Sequence, residues 1–172
     1  MINKLKRLSV TSFLLFIIGC STMVHKQNIQ LPLSKKYAIA SFWNYTETPM
    51  AGLRASTIME SVLSNKGIVL NSLIGGSEEM ANIQSKKAFL EAKKEEARKL
   101  GSDYLITGNV QEWRYKTGID GEPVVSFSLN IIDLHNNRVV SSAVGAKSAW
   151  GHKSIGVVAQ EIALSLTPIF VN

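Results

Sequence analysis

Asp103 to Tyr115 reads D-Y-L-I-T-G-N-V-Q-E-W-R-Y, and Val124 to Leu134 reads V-V-S-F-S-L-N-I-I-D-L. Over much of both stretches apolar residues alternate with polar ones, the period of a strand with one buried face. In the second stretch Val125, Phe127, Leu129 and Ile131 share that face. Between the two lies Lys116 to Pro123, which carries Asp120-Gly121, a strong hairpin signal. A further turn, His135-Asn136-Asn137-Arg138, leads into a third strand from Val139 to about Trp150. Strands joined by such short turns pair antiparallel.

Outward from this meander the period changes. On the N-terminal side, Ser85 to Leu100 reads as a helix that stops at Gly101, its Lys and Glu residues forming mostly a solvated face. Before it, Ile68 to Leu73 is a short apolar strand, broken by Gly75-Gly76-Ser77. A helix opening at Thr48-Pro49 precedes that strand, with Leu53, Ile58, Met59, Val62 and Leu63 as its buried stripe and Gly67 as its C′ residue. Tyr37 to Tyr45 is a strand rich in aromatic and aliphatic residues. On the C-terminal side, Ile155, Val158, Ala159, Ile162 and Leu166 mark an amphipathic helix over Ser154–Leu166, with Pro168 at its limit. The predicted order is β-α-β-α-β-β-β-α. Helix-linked strands should pair in parallel, so the expected fold is a single α/β domain with one mixed sheet, at least one face of it covered by helices.

The first twenty residues follow a different plan. Lys4, Lys6 and Arg7 form a cationic start, followed by an apolar stretch from Leu8 to Ile18, short of the about 20 residues a membrane span needs. The stretch ends in Ile17-Ile18-Gly19-Cys20, which resembles the bacterial lipobox. That resemblance implies a signal peptide over residues 1–19, cleavage before Cys20, and fatty acylation of its thiol and new amine. Ser21 stands where an aspartate would signal retention at the inner membrane, which implies an outer-membrane lipoprotein on the periplasmic face. Residues 20–35 are polar, lack an apolar period and read as a lipidated tether, with a reach on the order of 20 Å if flexible. Residues 36–172 are the single folded domain.

Composition narrows the function. The chain has 172 residues, 45% hydrophobic and 19% charged, a globular profile. Its net charge is +6, but the part from Cys20 onward carries only 16 basic and 13 acidic side chains, so nucleic-acid binding has no electrostatic case. The histidines His25, His135 and His152 have no ligand spacing to one another, Cys20 is the lone cysteine, and no nucleophile elbow or phosphate loop is present. No metal, cofactor or catalytic constellation is expected; the chain reads as a binding or structural component. Three features stand out. The loop Tyr115 to Pro123 is either plain hairpin chemistry or a functional loop. Trp150, followed by Gly151, His152 and Lys153, is either an exposed residue suited to a membrane interface or one packed under the last helix. Trp113, between Glu112 and Arg114, is assigned by alternation to core packing.

The stretch E-W-R-Y-K-T-G-I-D-G-E-P, Glu112 to Pro123, closely resembles the PelC family of outer-membrane lipoproteins of Pel exopolysaccharide export. Asp133 to Gln160, with Arg138-Val139-Val140 and Ser148-Ala149-Trp150, is similar to the same family. Ala97 to Gly108 is less specific and also fits lipoproteins of curli secretion and lipoprotein activators of penicillin-binding proteins, which share this fold. The PelC resemblance implies a homo-oligomeric ring beneath the outer membrane that guides a cationic amino-sugar polymer, in biofilm formation, to an outer-membrane porin. It maps the lipid to Cys20, a membrane-interface tryptophan to Trp150, and the polysaccharide-guiding acid to Asp120, with Glu122 second. The rival expectation is a periplasmic lipoprotein activator or adaptor of a cell-wall synthase.

Overall fold

The structure is a computed structural model and describes residues 21–25, 31–75, 85–117, 121–150, 153–167 and 170–171. In chain order the elements are β1 (Ser21–His25), β2 (Leu31–Pro32), β3 (Tyr37–Ala40), β4 (Trp43–Asn44), α1 (Ala51–Asn65), β5 (Leu70–Leu73), α2 (Lys86–Lys99), β6 (Tyr104–Tyr115), β7 (Pro123–Asp133), β8 (Arg138–Ser148), α3 (Ile155–Leu166) and β9 (Phe170–Val171). The main sheet runs β1-β8-β7-β6-β3-β5, with β4 also paired to β6. Strands reached through helices, β3 with β5 and β3 with β6, are parallel. The turn-linked pairs β6–β7 and β7–β8 are antiparallel. The mixed α/β domain read from the alternating stretches is the domain observed.

The alternation decides the layers. Ile106, Val110, Trp113, Val125, Phe127, Leu129 and Ile131 face α1 and α3, which contribute Ala55, Met59, Leu63, Val158, Ile162 and Leu166 to one core. On the opposite face Ala38, Ala40, Leu105 and Ile132 pack under Phe89 and Ala97 of α2. Trp113 is buried, as alternation assigns it. Its facing is restored by a register shift between Val110 and Glu112, which skips Gln111 and turns Trp113 back toward the core.

Helix ends follow local chemistry. Ser85 caps α2, its hydroxyl accepting from the Ala88 N–H at 3.2 Å, and Ser154 caps α3, accepting from Val157 N–H at 3.3 Å. Gly67 follows α1 at φ 81 and Gly101 follows α2 at φ 70, a conformation that favours glycine. Two expectations shift. Pro49 lies in the turn before α1 rather than in its first turn, because Met50, at φ 61, reverses the chain before the helix begins at Ala51. The strand expected over Tyr37–Tyr45 is split at Ser41-Phe42, where Phe42 turns into the core and the Ser41 hydroxyl accepts from the Gly75 N–H at 3.1 Å.

Two further findings concern charge and the N-terminal segment. The Lys and Glu residues of α2 are mostly solvated, but Lys93 and Lys94 are buried: their stems lie against the protein, and their ammonium groups reach Glu96 at 3.0 Å and Glu91 at 2.9 Å. The segment read as a tether, residues 20–35, contains structure. Ser21–His25 adds an antiparallel strand to the edge of β8, and Leu31–Pro32 pairs in parallel with Phe170–Val171. Leu31 is buried, and Tyr37, stacked on Tyr104 with ring centroids 5.3 Å apart, donates its hydroxyl to the Pro32 carbonyl at 2.8 Å. A polar sequence without apolar period suffices here, because an edge strand needs backbone partners before it needs a buried face.

Candidate functional site

The long strands carry their two ends to different environments. At one end Tyr115 closes β6, Pro123 opens β7, Ser148 closes β8 and Ser21 opens β1. The two loop regions singled out in the sequence therefore meet at one end of the sheet. The Ala149 N–H donates to the Pro123 carbonyl at 3.1 Å, which ties the segment carrying Trp150 to the base of the hairpin. The Tyr115 hydroxyl accepts from the Ile155 N–H at 3.2 Å and ties the hairpin to the start of α3.

Trp150 projects into solvent with 63% of its surface exposed. Of the two readings of this residue, packing under α3 is excluded. The Trp150 carbonyl accepts from the Lys153 N–H at 3.1 Å, which keeps the backbones of these two residues close. Glu122 is half-buried, and its carboxylate is already matched by Lys116 at 2.8 Å, with the Lys116 N–H donating to the Glu122 carbonyl at 2.8 Å. Beside it Arg114 reaches Glu112 at 3.2 Å. Asp120 and Cys20 lie outside the described residues, so of the expected site residues Glu122 and Trp150 are brought to one end, together with Ser21, the neighbour of Cys20.

Sequence reasoning missed Glu161. Its carboxylate accepts from Lys153 at 2.5 Å and forms an ion pair with Lys147 at 2.9 Å, and these two ammonium groups hold its carboxyl below the usual carboxylate range. The available signal was its isolation: Glu161 is the one charged residue in I-G-V-V-A-Q-E-I-A-L-S-L. At the opposite end of the sheet Asp103 is also held low, first by the Lys36 N–H at 3.0 Å and then by Lys35 and His135.

Two clefts flank the sheet. One of about 180 Å³ lies under the start of α2, bordered by Trp43, Lys86, Phe89 and Asn109. The other, about 370 Å³, is bordered by Tyr45, Glu47, Gln111 and Arg114. In neither does a nucleophile meet a base, and among the described residues no three His, Cys, Asp or Glu side chains gather where they could hold a metal ion. Nor, among those residues, is any helix long and apolar enough to cross a membrane.

The fold defines a small mixed α/β domain, built like lipoprotein GNA1162 from Neisseria meningitidis, which is 16% identical over 77% of this chain and 94% of its own with a TM-score of 0.55. Two other solved structures share much more of the sequence. The PelC dodecamer from Paraburkholderia phytofirmans is 35% identical over 87% of this chain and 97% of its own, with a TM-score of 0.72. A variant PelC dodecamer from the same organism is 33% identical over 88% and 98%, with a TM-score of 0.74. The chain belongs to the PelC family. No family profile and no curated protein matches it.

Proposed function

We propose that this protein is a non-catalytic lipoprotein of the outer membrane, anchored through acyl chains on Cys20, that assembles into a ring and guides a cationic Pel-type exopolysaccharide toward an outer-membrane porin. The observation that carries the reading is the convergence at one sheet end of Ser21, the exposed Trp150 and the Tyr115–Pro123 hairpin. An anchor on Cys20 would hang the domain from that end, with the hairpin close under the bilayer. The assembly finds support in the two family members that are dodecamers.

The electrostatics require the ring. One carboxylate exposed to water attracts an ammonium by about 1 kcal/mol or less. Repeated once per copy around an opening, the same carboxylate produces a concentrated negative field, as charged rings do in ion pores. Contacts that are weak and numerous admit a polymer without trapping it. Glu122 must compete with its own Lys116 for such a cation, which leaves Asp120 as the principal guiding acid.

Two measurements in cells test this. Radiolabelled palmitate should enter the protein and be lost with Cys20→Ala; absence of label from the unaltered protein overturns the anchor. Asp120→Ala should lower polymer export at normal protein level and intact assembly. Unchanged export removes Asp120 from the mechanism.

A further inference from the structure

The rim at the Trp150 end carries more than an aromatic side chain. Lys147 closes on Glu161 from β8, and Lys153 closes on it from the turn before α3. Two ammonium groups on one carboxylate leave a local surplus of one positive charge. Because both cations hold the Glu161 carboxyl below its ordinary range, that surplus persists throughout the neutral range. The carboxylate also limits the motion of two long side chains that are 27% and 47% exposed, so the surplus is held at a defined place. The backbone bond from the Lys153 N–H to the Trp150 carbonyl keeps the two backbones close, and the Trp150 side chain is exposed at this same end of the sheet.

Strand register relates this cluster to the anchor. Ser21 is the Cα partner of Lys147 in the β1–β8 ladder. Paired Cα atoms stand about 5 Å apart, so the β1–β8 ladder brings Ser21, the residue after Cys20, beside Lys147. A fixed cationic pair, an exposed indole and the first residue after the proposed acyl attachment point therefore lie at one end of the sheet. Each suits a different depth of a bilayer surface: acyl chains in the hydrocarbon, indole at the interface, ammonium groups at the phosphates.

We infer that Lys147 and Lys153, held on Glu161 beside Trp150, form a contact site for the phosphodiester headgroups of membrane phospholipids, which fixes the orientation of the anchored domain. The inference rests on the anchor proposed above. A single flexible attachment would let the domain swivel; the headgroup contact at a second point supplies orientation. Phosphate is the matching chemistry because lysine meets it as a compact, hydrated point charge without demanding a planar partner.

The experiment uses the full acylated chain in vesicles of phosphatidylethanolamine and phosphatidylglycerol with brominated acyl chains. Flotation reads the anchor, and quenching of tryptophan fluorescence reads orientation, with Trp150→Phe defining the background from Trp43 and Trp113. Lys147→Gln with Lys153→Gln should still float but lose at least about half of the Trp150 quenching, and 0.5 M KCl should act the same way on the unaltered chain. Glu161→Gln should keep or increase the quenching, because it raises the local surplus from one positive charge to two while its amide oxygen can still accept from a lysine, whereas a merely structural cluster would lose it. Failure of the unaltered chain to float overturns the anchor and this site with it. Flotation with quenching indifferent to the lysines, or quenching lost in Glu161→Gln, overturns the site alone.

Discussion

Replacing Gly52 by alanine tests whether α1 sits where the structure places it. Gly52 is the second residue of α1, and an added Cβ would stand 2.0 Å from the Phe42 carbonyl oxygen and 3.0 Å from the Phe42 carbonyl carbon. Ordinary carbon–oxygen contact begins at about 3.3 Å, so α1 and the Phe42 backbone must separate by more than about 1 Å. Both atoms are backbone, and no rotamer change relieves the clash. Such overpacking costs about 1–3 kcal/mol or more, against the roughly 0.5–1 kcal/mol that alanine gains over glycine in a helix. Gly156 is the control. It is likewise the second residue of its helix, but its added Cβ would find only the Ser154 hydroxyl, at 3.9 Å. Circular dichroism melts at fixed protein concentration should show Gly52→Ala lowered by about 5–10 °C and Gly156→Ala raised by about 1–3 °C. Equal shifts for the two variants, or a Gly52→Ala melt at or above that of the unaltered chain, would refute the close approach of α1 to Phe42.

The remaining predictions concern charge. The Asp103 carboxyl is depressed in the folded state, so its contribution is present above the carboxylate's unfolded value and lost as pH falls through the folded one. Asp103→Asn should cost about 1 kcal/mol in urea unfolding at pH 7, and the difference should close below about pH 4; a pH-independent difference would contradict the charge-assisted bond to the Lys36 N–H. Glu122→Gln should lower export less than Asp120→Ala, because Lys116 already neutralises Glu122, and an effect as large as that of Asp120→Ala would show that the pair opens in use.

The antiparallel half of the sheet was legible because each of its strands announces one buried face by alternation and each turn by its own residues. Val125, Phe127, Leu129 and Ile131 share one face in the sequence and all lie in one core. The capping serines and the glycines after α1 and α2 were equally local in origin. What could not be read locally was tertiary. Ser21–His25 forms a strand because β8 offers it an unpaired edge, and Tyr37 reaches back to Pro32 across five positions. Lys93 and Lys94 resemble any solvated charge until the sheet beneath them is known. At the candidate site, Trp150 and the hairpin were both visible as residues, but their meeting follows only from the β6–β7–β8 register. The Lys147–Glu161–Lys153 cluster joins positions on a strand, a turn and a helix, which no spacing rule connects.

The central claim is that many identical domains hang from one bilayer by the end that carries Ser21 and Trp150. Electron micrographs of the acylated chain, extracted in mild detergent, test it most directly. The account predicts closed rings of many copies with the detergent belt along the Trp150 rim. Single domains at high protein concentration, or rings whose belt lies at the opposite end of the sheet, would contradict it.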